Sequence, residues 1–487
     1  MNLTLVDLFA GCGGLSLGLE LAGFVPVLAA ELNNSARATY VANRDGSVHV
    51  ETDVRQLADA EPSKLRRLAG LGRNERVTLV AGGPPCQGFS GIGHRRTHSD
   101  VEKHEIASNH LYKDMISVID KLQPEAFLFE NVRGLLSARW SRDDPRKVWD
   151  RVRRHFLRTL GDRYVIAYDV VRAYEFGVPQ NRPRVLMVGL REERWEAIRE
   201  LAHPSVRTLS RQAINACTAR DEQLATKALL LPPALSPERR REFLPDMEEL
   251  LGDLIDPSWE AWAHAGCKGA FETCAYPAAA RAGWQHAMRA AVSGDGVATR
   301  KGAPLAEQAY SRHAAHVRAR FGLIRQGKEV PEAQRTKKFA QRALPATWGD
   351  RAPGITVASL PDDYVHFAQS RSLTVREWAR LQGFPDWYQF KGPRTTGGDR
   401  RAGDVRSGET VREAPRYTQI GNAVPVPLAA AIGWQLRRCL ASAEPDESRG
   451  HHAAPLARFL RAALDRELGV DLDDSSSVVQ YESGLCK

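Results

Sequence analysis

The sequence predicts an α/β protein with a doubly wound, mostly parallel sheet and a smaller inserted domain. Over the first 190 residues, short apolar runs typical of buried strands alternate with segments of helical periodicity. Between about Trp195 and Ser370 this alternation gives way to short helical patches and to glycine and proline punctuation. The chain, at 487 residues, is also longer than one simple core usually accommodates. We therefore expect at least two domains.

The predicted strands are short and rich in branched apolar residues, and they cover residues 3–9, 25–30, 49–52, 77–81, 126–129, 164–171 and 184–190. Predicted helices cover residues 35–43, 111–122 and 148–160. The run from Leu15 to Leu21 alternates like a strand. We predict a helix there, because Leu15, Leu19 and Ala22 also form a helical stripe and Gly23 can end it.

Composition excludes several classes of protein. Seven scattered cysteines without a Cys-x-x-Cys pair argue against a disulfide scaffold and a zinc ribbon, and favour the reducing cytoplasm. Residues 3–30 are apolar, but Asp7 and Glu20 interrupt them, so we expect neither a signal peptide nor a membrane segment. The net charge of +9 is compatible with a polyanionic partner and equally with an ordinary surface.

Basic residues crowd near the end of the inserted segment, and they form either a solvated helix face or a surface that contacts phosphates. They are Arg312, His313, His316, Arg318, Arg320, Arg325, Lys328, Lys337, Lys338 and Arg342. Residues 392–415 form a loop rich in glycine and arginine, either padding or a second backbone contact. Residues 455–468 are a candidate amphipathic helix, followed by an end that we expect to be unstructured.

The candidate nucleophile is Cys86, in the stretch GGPPCQGFS at 82–90 that follows a predicted strand. A thiol on a loop stiffened by Pro84 and Pro85, at the carboxyl end of a strand, lies where open α/β sheets bind ligands. An arbitrary cysteine at a tight turn is more often a small buried residue. The residues around Cys86 in the predicted fold favour the catalytic interpretation.

The first predicted turn, Phe9-x-Gly11-x-Gly13, lacks the full Gly-x-Gly-x-x-Gly pattern of dinucleotide sites. A nucleoside with a compact polar tail fits it better. Glu31 and Asp53 end the next two predicted strands at the same edge of the sheet. Glu31 could accept hydrogen bonds from ribose hydroxyls and Asp53 one from an adenine amino group, with Phe9 against the ring. Each residue alone is more often a helix cap or a surface charge.

Glu130 ends another predicted strand and shares that edge with Cys86. A protease would need a histidine base beside its cysteine, whereas a thiolate and a carboxylic acid suit addition to C6 of cytosine with support at N3. Arg182 and Arg184 open the last strand, and arginines there could hold O2 of the base. An ion pair with Glu130, or a phosphate contact, is an alternative for them.

Six motifs occur in the order found in DNA (cytosine-5) methyltransferases, and the chain resembles that family over residues 1–190 and 355–440. The motifs are Phe9-Ala-Gly11-Cys-Gly13-Gly14, Gly83-Pro-Pro-Cys86-Gln-Gly-Phe-Ser90, Glu130-Asn131-Val132, Gln180-Asn-Arg182-Pro-Arg184, Arg371 to Pro385, and Gln419-Ile-Gly421-Asn422-Ala-Val-Pro425.

The resemblance implies the Rossmann-like fold of class I methyltransferases, with S-adenosyl-L-methionine as methyl donor and no metal. It implies that Cys86 is the covalent nucleophile, that Glu130 and Arg184 contact the cytosine, and that Arg182 supports the loop. The loop after Ser90, with Arg95 and Arg96, would close over the base. The implied cofactor contacts are Phe9, Gly11, Gly13, Glu31, Asp53, Pro85 and Asn422, and the final helix should return beside the first strand to bring Asn422 there.

By the same resemblance, 1–190 is the catalytic and cofactor-binding domain and 191–370 the target-recognition domain. Residues 371–440 pack the recognition domain and complete the catalytic one, and 441–487 form a tail that is partly disordered. The expected substrate is double-stranded DNA with the target base flipped out of the helix. Because the chain begins almost at its first strand, we expect a monomeric bacterial restriction-modification enzyme, paired in function with a restriction endonuclease. The insertion at 392–415 is a departure from the family pattern next to Asn422.

Two other functions remain open at this point. An RNA cytosine methyltransferase can use the same motifs on transfer RNA, although the long variable segment favours a DNA groove. A catalytically silent DNA-binding protein is the other alternative, and the presence of both Cys86 and Glu130 argues against it.

Overall fold

The structure is a computed structural model. It describes residues 3–72, 75–85, 107–140, 146–201, 207–216, 230–265, 271–289, 302–335, 341–348, 352–354, 363–394, 413–440 and 456–461. Cys86 and the following loop with Arg95 and Arg96 lie outside these residues, as do Lys337, Lys338 and most of 392–415.

A seven-stranded sheet forms the centre of the protein, in the order β3-β2-β1-β4-β5-β7-β6. Six strands run in one direction, and β7 lies antiparallel between β5 and β6. The strands are β1 Leu3–Leu8, β2 Phe24–Ala30, β3 His49–Glu51, β4 Leu79–Gly82, β5 Ala126–Val132, β6 Tyr164–Arg172 and β7 Pro183–Arg191. The predicted mostly parallel, doubly wound sheet is thus confirmed.

Strand β5 is longer than predicted at its carboxyl end. Glu130 and Asn131 belong to the strand because their backbones pair with Leu186 and Val185 of β7. The predicted strand stopped at residue 129, where the apolar run ends. Pairing with a later strand therefore extends the sheet to the candidate acid.

Helices cover both faces of the sheet. They are α1 Gly14–Leu21, α2 Asn34–Ala42, α3 Val54–Asp59, α4 Pro62–Leu68, α5 Tyr112–Leu122, α6 Val148–Leu160, α7 Glu192–Ile198, α8 Arg211–Ala216, α9 Pro237–Phe243, α10 Met247–Leu251, α11 Ser258–His264, α12 Gly283–Arg289, α13 Ala315–Arg325, α14 Val375–Arg380, α15 Arg416–Asn422 and α16 Val426–Leu440. The helix predicted after the first turn is confirmed by α1, which ends just before Gly23, where φ is +91°.

Two apolar clusters lie on opposite faces of the sheet, as the alternation of side chains along β5 requires. Leu128 packs on the side of α1 and α16, where Leu19 and Ile432 lie, while Phe127 packs on the side of α3, α5 and α6. The final helix α16 thus returns beside the helix that follows β1, and the guanidinium of Arg437 donates to the carbonyl of Ala22 at 3.1 Å.

The described part of the inserted segment contributes apolar side chains to three clusters. Trp195, Leu230 and Leu235 join the cluster on one face of the main sheet. Met247 and many later apolar side chains cluster instead with the segment that contains α14, and Trp259, Ala263 and Tyr310 form a small cluster of their own. Two short sheets lie in this region, β8 Phe271–Glu272 with β9 Ala309–Tyr310, and β10 Arg342–Ala343 with β11 Tyr364–Val365.

The described part of the tail, 456–461, also joins this second cluster. Leu456 and Leu460 are buried, and the ring of Phe459 packs against Phe243 and Trp284. No helix among the described residues is both long and apolar enough to span a membrane.

Buried ion pairs connect α14 to the inserted segment. Arg380 lies between Asp253 and Asp386, with N···O distances of 2.6 Å to each, and all three side chains are buried. Arg371 pairs with Glu377 at 2.7 Å. Burial alone would raise the pKa of Glu377, but the charges of Arg371 and His366, together with hydrogen bonds from Arg371 and the backbone of Thr374, outweigh it and lower that pKa to about 2. Glu377 therefore remains ionised inside the protein.

We expect Arg380→Met to destabilise the protein by about 3–5 kcal/mol, because the buried Asp386 loses its close cationic partner, while Asp253 keeps its pair with Arg289. Arg335→Met is the matched control, since Arg335 pairs with Glu329 on the exposed surface and should cost at most about 1 kcal/mol. Urea unfolding measures both free energies. Equal losses in the two variants would contradict this account of the buried network.

Candidate active site

The carboxyl ends of β1, β4 and β5 meet at one edge of the sheet. Leu8 pairs with Gly82, and Gly82 pairs with Phe129, so the segments after these strands lie side by side. The first turn, the segment that leads to Cys86, and Glu130 therefore share this edge, as predicted from the chain order.

The segment before Cys86 is fitted tightly against β5. The side-chain amide of Asn131 donates to the carbonyl of Pro84 at 3.1 Å. A Cβ placed on Gly83 would be 2.7 Å from Oε2 of Glu130, closer than real Cβ contacts come. The Glu130 carboxylate therefore lies against Gly83, which precedes Cys86 by three residues in the chain. Pro84 is buried, whereas Pro85 is exposed.

Glu130 and Arg184 form an ion pair with an N···O distance of 2.6 Å. Val132 is paired with Arg184 in the sheet register, so the two side chains come from adjacent strands. Glu130 is only 8% exposed. The ion pair that the sequence left open for Arg184 is therefore present, and it holds the carboxylate beside Gly83.

Arg182 is buried just before β7, and its carbonyl accepts a hydrogen bond from the backbone N–H of Ala173 at 3.1 Å. The neighbouring Gln180 donates from its side chain to Leu381 O at 3.0 Å and to Gln382 Oε1 at 2.7 Å. This motif therefore connects the catalytic sheet to the segment that contains α14.

The turn after β1 is built from left-handed backbone conformations. Phe9, Gly11 and Gly13 have φ values of +61°, +58° and +88°. A Cβ on Gly13 would be 2.5 Å from the Tyr388 hydroxyl, so this position requires glycine. Among the described residues, nothing lies within 4 Å of a Cβ placed on Gly11, so these residues leave the space beside the turn open.

Glu31 borders this open space. Its carboxylate accepts hydrogen bonds from the backbone N–H groups of Gly11 at 2.8 Å and Asn33 at 2.7 Å. Burial raises the pKa of Glu31 above its ordinary value, although both N–H donors act in the opposite direction. The predicted neighbourhood of Glu31 and the first turn is thus present.

Asp53 differs in detail from its predicted place. Strand β3 ends at Glu51, and Asp53 instead caps α3 through the backbone N–H of Arg55. The Arg55 guanidinium also binds its carboxylate, which lowers the pKa of Asp53. No contact among the described residues joins Asp53 to the first turn.

Asn422 is exposed at the end of α15, and the residues after it reach the first turn. A Cβ on Gly14 would be 2.5 Å from the carbonyl oxygen of Val424. The thiol of Cys12 donates to the carbonyl of Gln419. The motif at 419–425 therefore lies beside the turn after β1, as expected for the final part of the chain.

A buried polar layer lies beneath the turn. Ser16 donates a short hydrogen bond to Asp7 and lies 3.0 Å from the hydroxyl of Tyr40. Burial raises the pKa of Asp7 to about 7. Tyr388 donates to the carbonyl of Cys12 at 2.6 Å. These contacts fix the turn from below and leave its open side unobstructed.

Leu32 was not among the site residues predicted from the sequence, although it directly follows Glu31. It is 62% exposed and comes two residues after the end of β2. An exposed apolar side chain at this edge of the sheet can contact a flat ring. The sequence did contain a signal for this residue, because an apolar side chain follows the point where the predicted strand 25–30 ends.

Of the basic residues noted in the inserted segment, those from Arg312 to Lys328 lie on and around α13. Arg318 and Arg320 are partly buried, while Arg325 and Lys328 are exposed. Arg318 donates to the carbonyl of His313, so its guanidinium also supports the local backbone. Within the described ranges, no group of three or more His, Cys, Asp and Glu side chains is arranged to hold a metal ion.

Comparison with known proteins supports the same family as the motifs. The family model described as C-5 cytosine-specific DNA methylase matches residues 3–438. The type II methyltransferase M.DdeI of Desulfomicrobium norvegicum is 30% identical over 445 residues, covering 88% of this chain and 87% of the relative. M.XorII of Xanthomonas oryzae pv. oryzae, also a type II methyltransferase, is 28% identical, covering 89% and 84%.

Among solved structures, a protein of E. coli described as a DNA modification methyltransferase encoded within a prophage aligns with a TM-score of 0.54 at 20% identity. The alignment covers 90% of this chain and 99% of that one. This likeness supports the assignment of the fold.

Proposed function

This chain belongs to the C-5 cytosine-specific DNA methylases, and from that premise we propose that it methylates a specific cytosine in double-stranded DNA through a covalent adduct at Cys86. The observation that carries the proposal is the position of Glu130. Arg184 holds its carboxylate at 2.6 Å, directly against the segment that leads to Cys86. A base bound there would meet a thiol and a carboxyl group together.

In the proposed reaction, the Cys86 thiolate adds to C6 of the cytosine while Glu130 supports N3, and the electron pair of the C5–C6 double bond moves to C5. S-adenosyl-L-methionine, when bound, supplies the methyl group that C5 takes. Loss of the proton from C5 then restores the double bond and expels the Cys86 thiolate. Arg184 would hold O2 of the base, and buried Arg182 would support the loop before β7.

The turn after β1 fits such a donor. Its open side at Gly11 leaves room for a nucleoside, and the exposed Leu32 offers an apolar surface to the adenine together with Phe9. Glu31 retains acceptor capacity for ribose hydroxyls, because each carboxylate oxygen binds one N–H group.

Asp53, Pro85 and Asn422 lie outside the turn after β1 and are also proposed to contact the cofactor. Asp53 would receive the adenine amino group and would have to share its carboxylate with Arg55. Gly13, Pro85 and Asn422 complete the proposed set, and the approach of Val424 to Gly14 supports the place of Asn422.

The inserted segment, 191–370, is proposed to recognise the DNA sequence, with 371–440 holding it against the catalytic domain. The buried pair between Arg380 and Asp253 supports this arrangement, since it joins the two segments. Because the relatives named above are type II methyltransferases, we propose a monomeric enzyme of the bacterial cytoplasm that protects host DNA from a restriction endonuclease. The base must leave the helix, at a cost of about a few kcal/mol that DNA contacts offset.

The test is transfer of labelled methyl groups from S-adenosyl-L-methionine to duplex DNA and, separately, to transfer RNA. We expect label in duplex DNA, and bisulfite sequencing of DNA from expressing cells should locate it at one cytosine of a short recurring sequence. Label in transfer RNA alone would replace the proposal by an RNA methyltransferase. DNA binding without any label would indicate a silent binding protein.

A further inference from the structure

A second basic region lies directly after the candidate acid in the catalytic domain. Residues 133–158 contain nine basic and three acidic residues, a net charge of +6 out of +9 for the whole chain. We use the name cationic face for five of its exposed residues, Arg133, Arg139, Lys147, Arg151 and Arg154; Arg146 and Arg158 are exposed as well. The region lies outside the two basic stretches predicted from the sequence, near the end of the inserted segment and at 392–415.

The cationic face begins at the catalytic edge of the sheet. Strand β5 ends at Val132, and a short 3-10 helix, Arg133–Leu136, follows immediately. Beyond it, a backbone bridge joins Arg139 to Lys147 and brings the chain back to the start of α6. Buried Leu135 and Trp140 anchor this excursion from beneath. The basic side chains therefore project outward from the edge that carries Glu130.

Helix α6 continues the face in a regular stripe. At 100° per residue, Lys147, Arg151, Arg154 and Arg158 lie within about 60° of one another around the helix axis. The opposite side is buried and comprises Val148, Val152, Phe156 and Leu160. From Lys147 to Arg158 the stripe is about 16 Å long, at 1.5 Å per residue. It begins at the catalytic edge and runs away from it.

The positive charge of the face is not neutralised by the described residues. Across those ranges, none of its five side chains forms an ion pair with a carboxylate. These positive charges also affect the pKa of the neighbouring His155. Partial burial lowers the pKa of His155, and the charges of Arg158, Lys113 and Arg151 lower it further. Protein surfaces of this kind attract polyanions.

The face is also connected to the segment that returns from the Cys86 loop. The guanidinium of Arg151 lies 5.6 Å from the ring centroid of Trp140. The same indole stacks on His110, with 5.0 Å between the ring centroids and an angle of 2° between the rings. His110 ends the 3-10 helix Ala107–His110, where the described chain resumes after residue 85. An anion bound at Arg151 would thus lie next to this segment.

We propose that the cationic face binds backbone phosphates of the DNA duplex beside the target cytosine, on the catalytic-domain side and independently of sequence. The proposal rests on the proposed function, since it assumes a DNA substrate at the Glu130 edge. Arginine and lysine side chains that neutralise phosphates release condensed counterions, so each contact contributes to the salt dependence of binding. The side chains nearest the edge, from Arg133 to Arg154, should matter most and Arg158 least.

The test compares Arg151→Gln/Arg154→Gln with a matched control, Lys64→Gln/Arg67→Gln. Lys64 and Arg67 are also exposed and also carry two positive charges, but they lie on α4, away from the catalytic edge. Binding of the full chain to a duplex with long flanks is measured between about 50 and 200 mM salt. We expect the Arg151/Arg154 variant to lose about two units of the salt slope and about 10-fold in affinity at 100 mM salt. The Lys64/Arg67 variant should keep both the salt slope and the rate of methyl transfer of the unaltered enzyme.

An unchanged slope in that variant, or the same loss in the control, would overturn the proposal. So would a loss of affinity for transfer RNA with none for duplex DNA. A failure of the proposed function would look different, because the unaltered enzyme itself would then transfer no methyl groups to DNA.

Discussion

Replacing Cys86 by alanine should abolish methyl transfer while DNA and cofactor binding persist. The expected fall in rate is on the order of 10⁴-fold or more, because the variant lacks the sulfur that forms the covalent bond to C6. Single-turnover transfer of labelled methyl groups measures it, with DNA affinity determined in parallel. Measurable turnover by the Cys86→Ala variant would refute the covalent mechanism.

The control for this variant is Cys274→Ala, since Cys274 is an exposed free thiol in the inserted segment and should be dispensable. A second measurement uses duplex DNA with 5-fluorocytosine at the target position. Fluorine cannot leave C5 as a proton does, so the adduct with Cys86 should accumulate and survive denaturing gels. The unaltered enzyme and Cys274→Ala should both form the adduct, and Cys86→Ala should not.

Glu130→Gln is expected to lower the rate of methyl transfer by about 10² to 10⁴-fold, the range typical of a lost general acid or base. Glutamine preserves the size of the side chain, and Arg184 remains in place to fill the edge of the sheet. It cannot deliver a proton to N3 or balance charge there. The loss should therefore appear in kcat, with DNA affinity changed little.

The same strand offers a matched control for Glu130. Glu125 lies just before the other end of β5 and also pairs with an arginine, with 2.9 Å between its carboxylate and Nε of Arg194. Glu125→Gln removes a comparable ion pair far from the catalytic edge and should leave kcat within about twofold, as for a partly exposed surface pair. Equal effects of the two substitutions would mean that Glu130 acts only through stability.

The central strands were predictable because strands that are buried on both faces of a sheet are continuous apolar runs. Residues 126–129 and 184–190 stand out in this way, and β5 and β7 contain them. The helix after the first turn was harder, since its leucines alternate, and burial of both its faces explains why. The extension of β5 through Glu130 could not be predicted from an apolar pattern, because a polar residue continues the strand only through pairing with β7.

The candidate site was likewise predictable only in part. Motif order placed the first turn, Glu31, Glu130 and the Cys86 segment at one edge of the sheet, and the described members do lie there. The exposure of Leu32 and the engagement of Asp53 by Arg55 were not foreseen. Both depend on which neighbours reach the edge, and local sequence carries little information on that.

The sequence by itself determined the class of the fold, the family and the identity of the candidate nucleophile, since these depend on local periodicity and on motifs that are contiguous in the chain. The tertiary structure alone decided that Arg184 holds Glu130 against Gly83, that Arg380 joins α14 to the inserted segment, and that the arginines after Glu130 form one outward face. These features arise between segments far apart in the chain. Sheet order and close packing decide them, and the spacing of neighbouring residues in the sequence specifies neither.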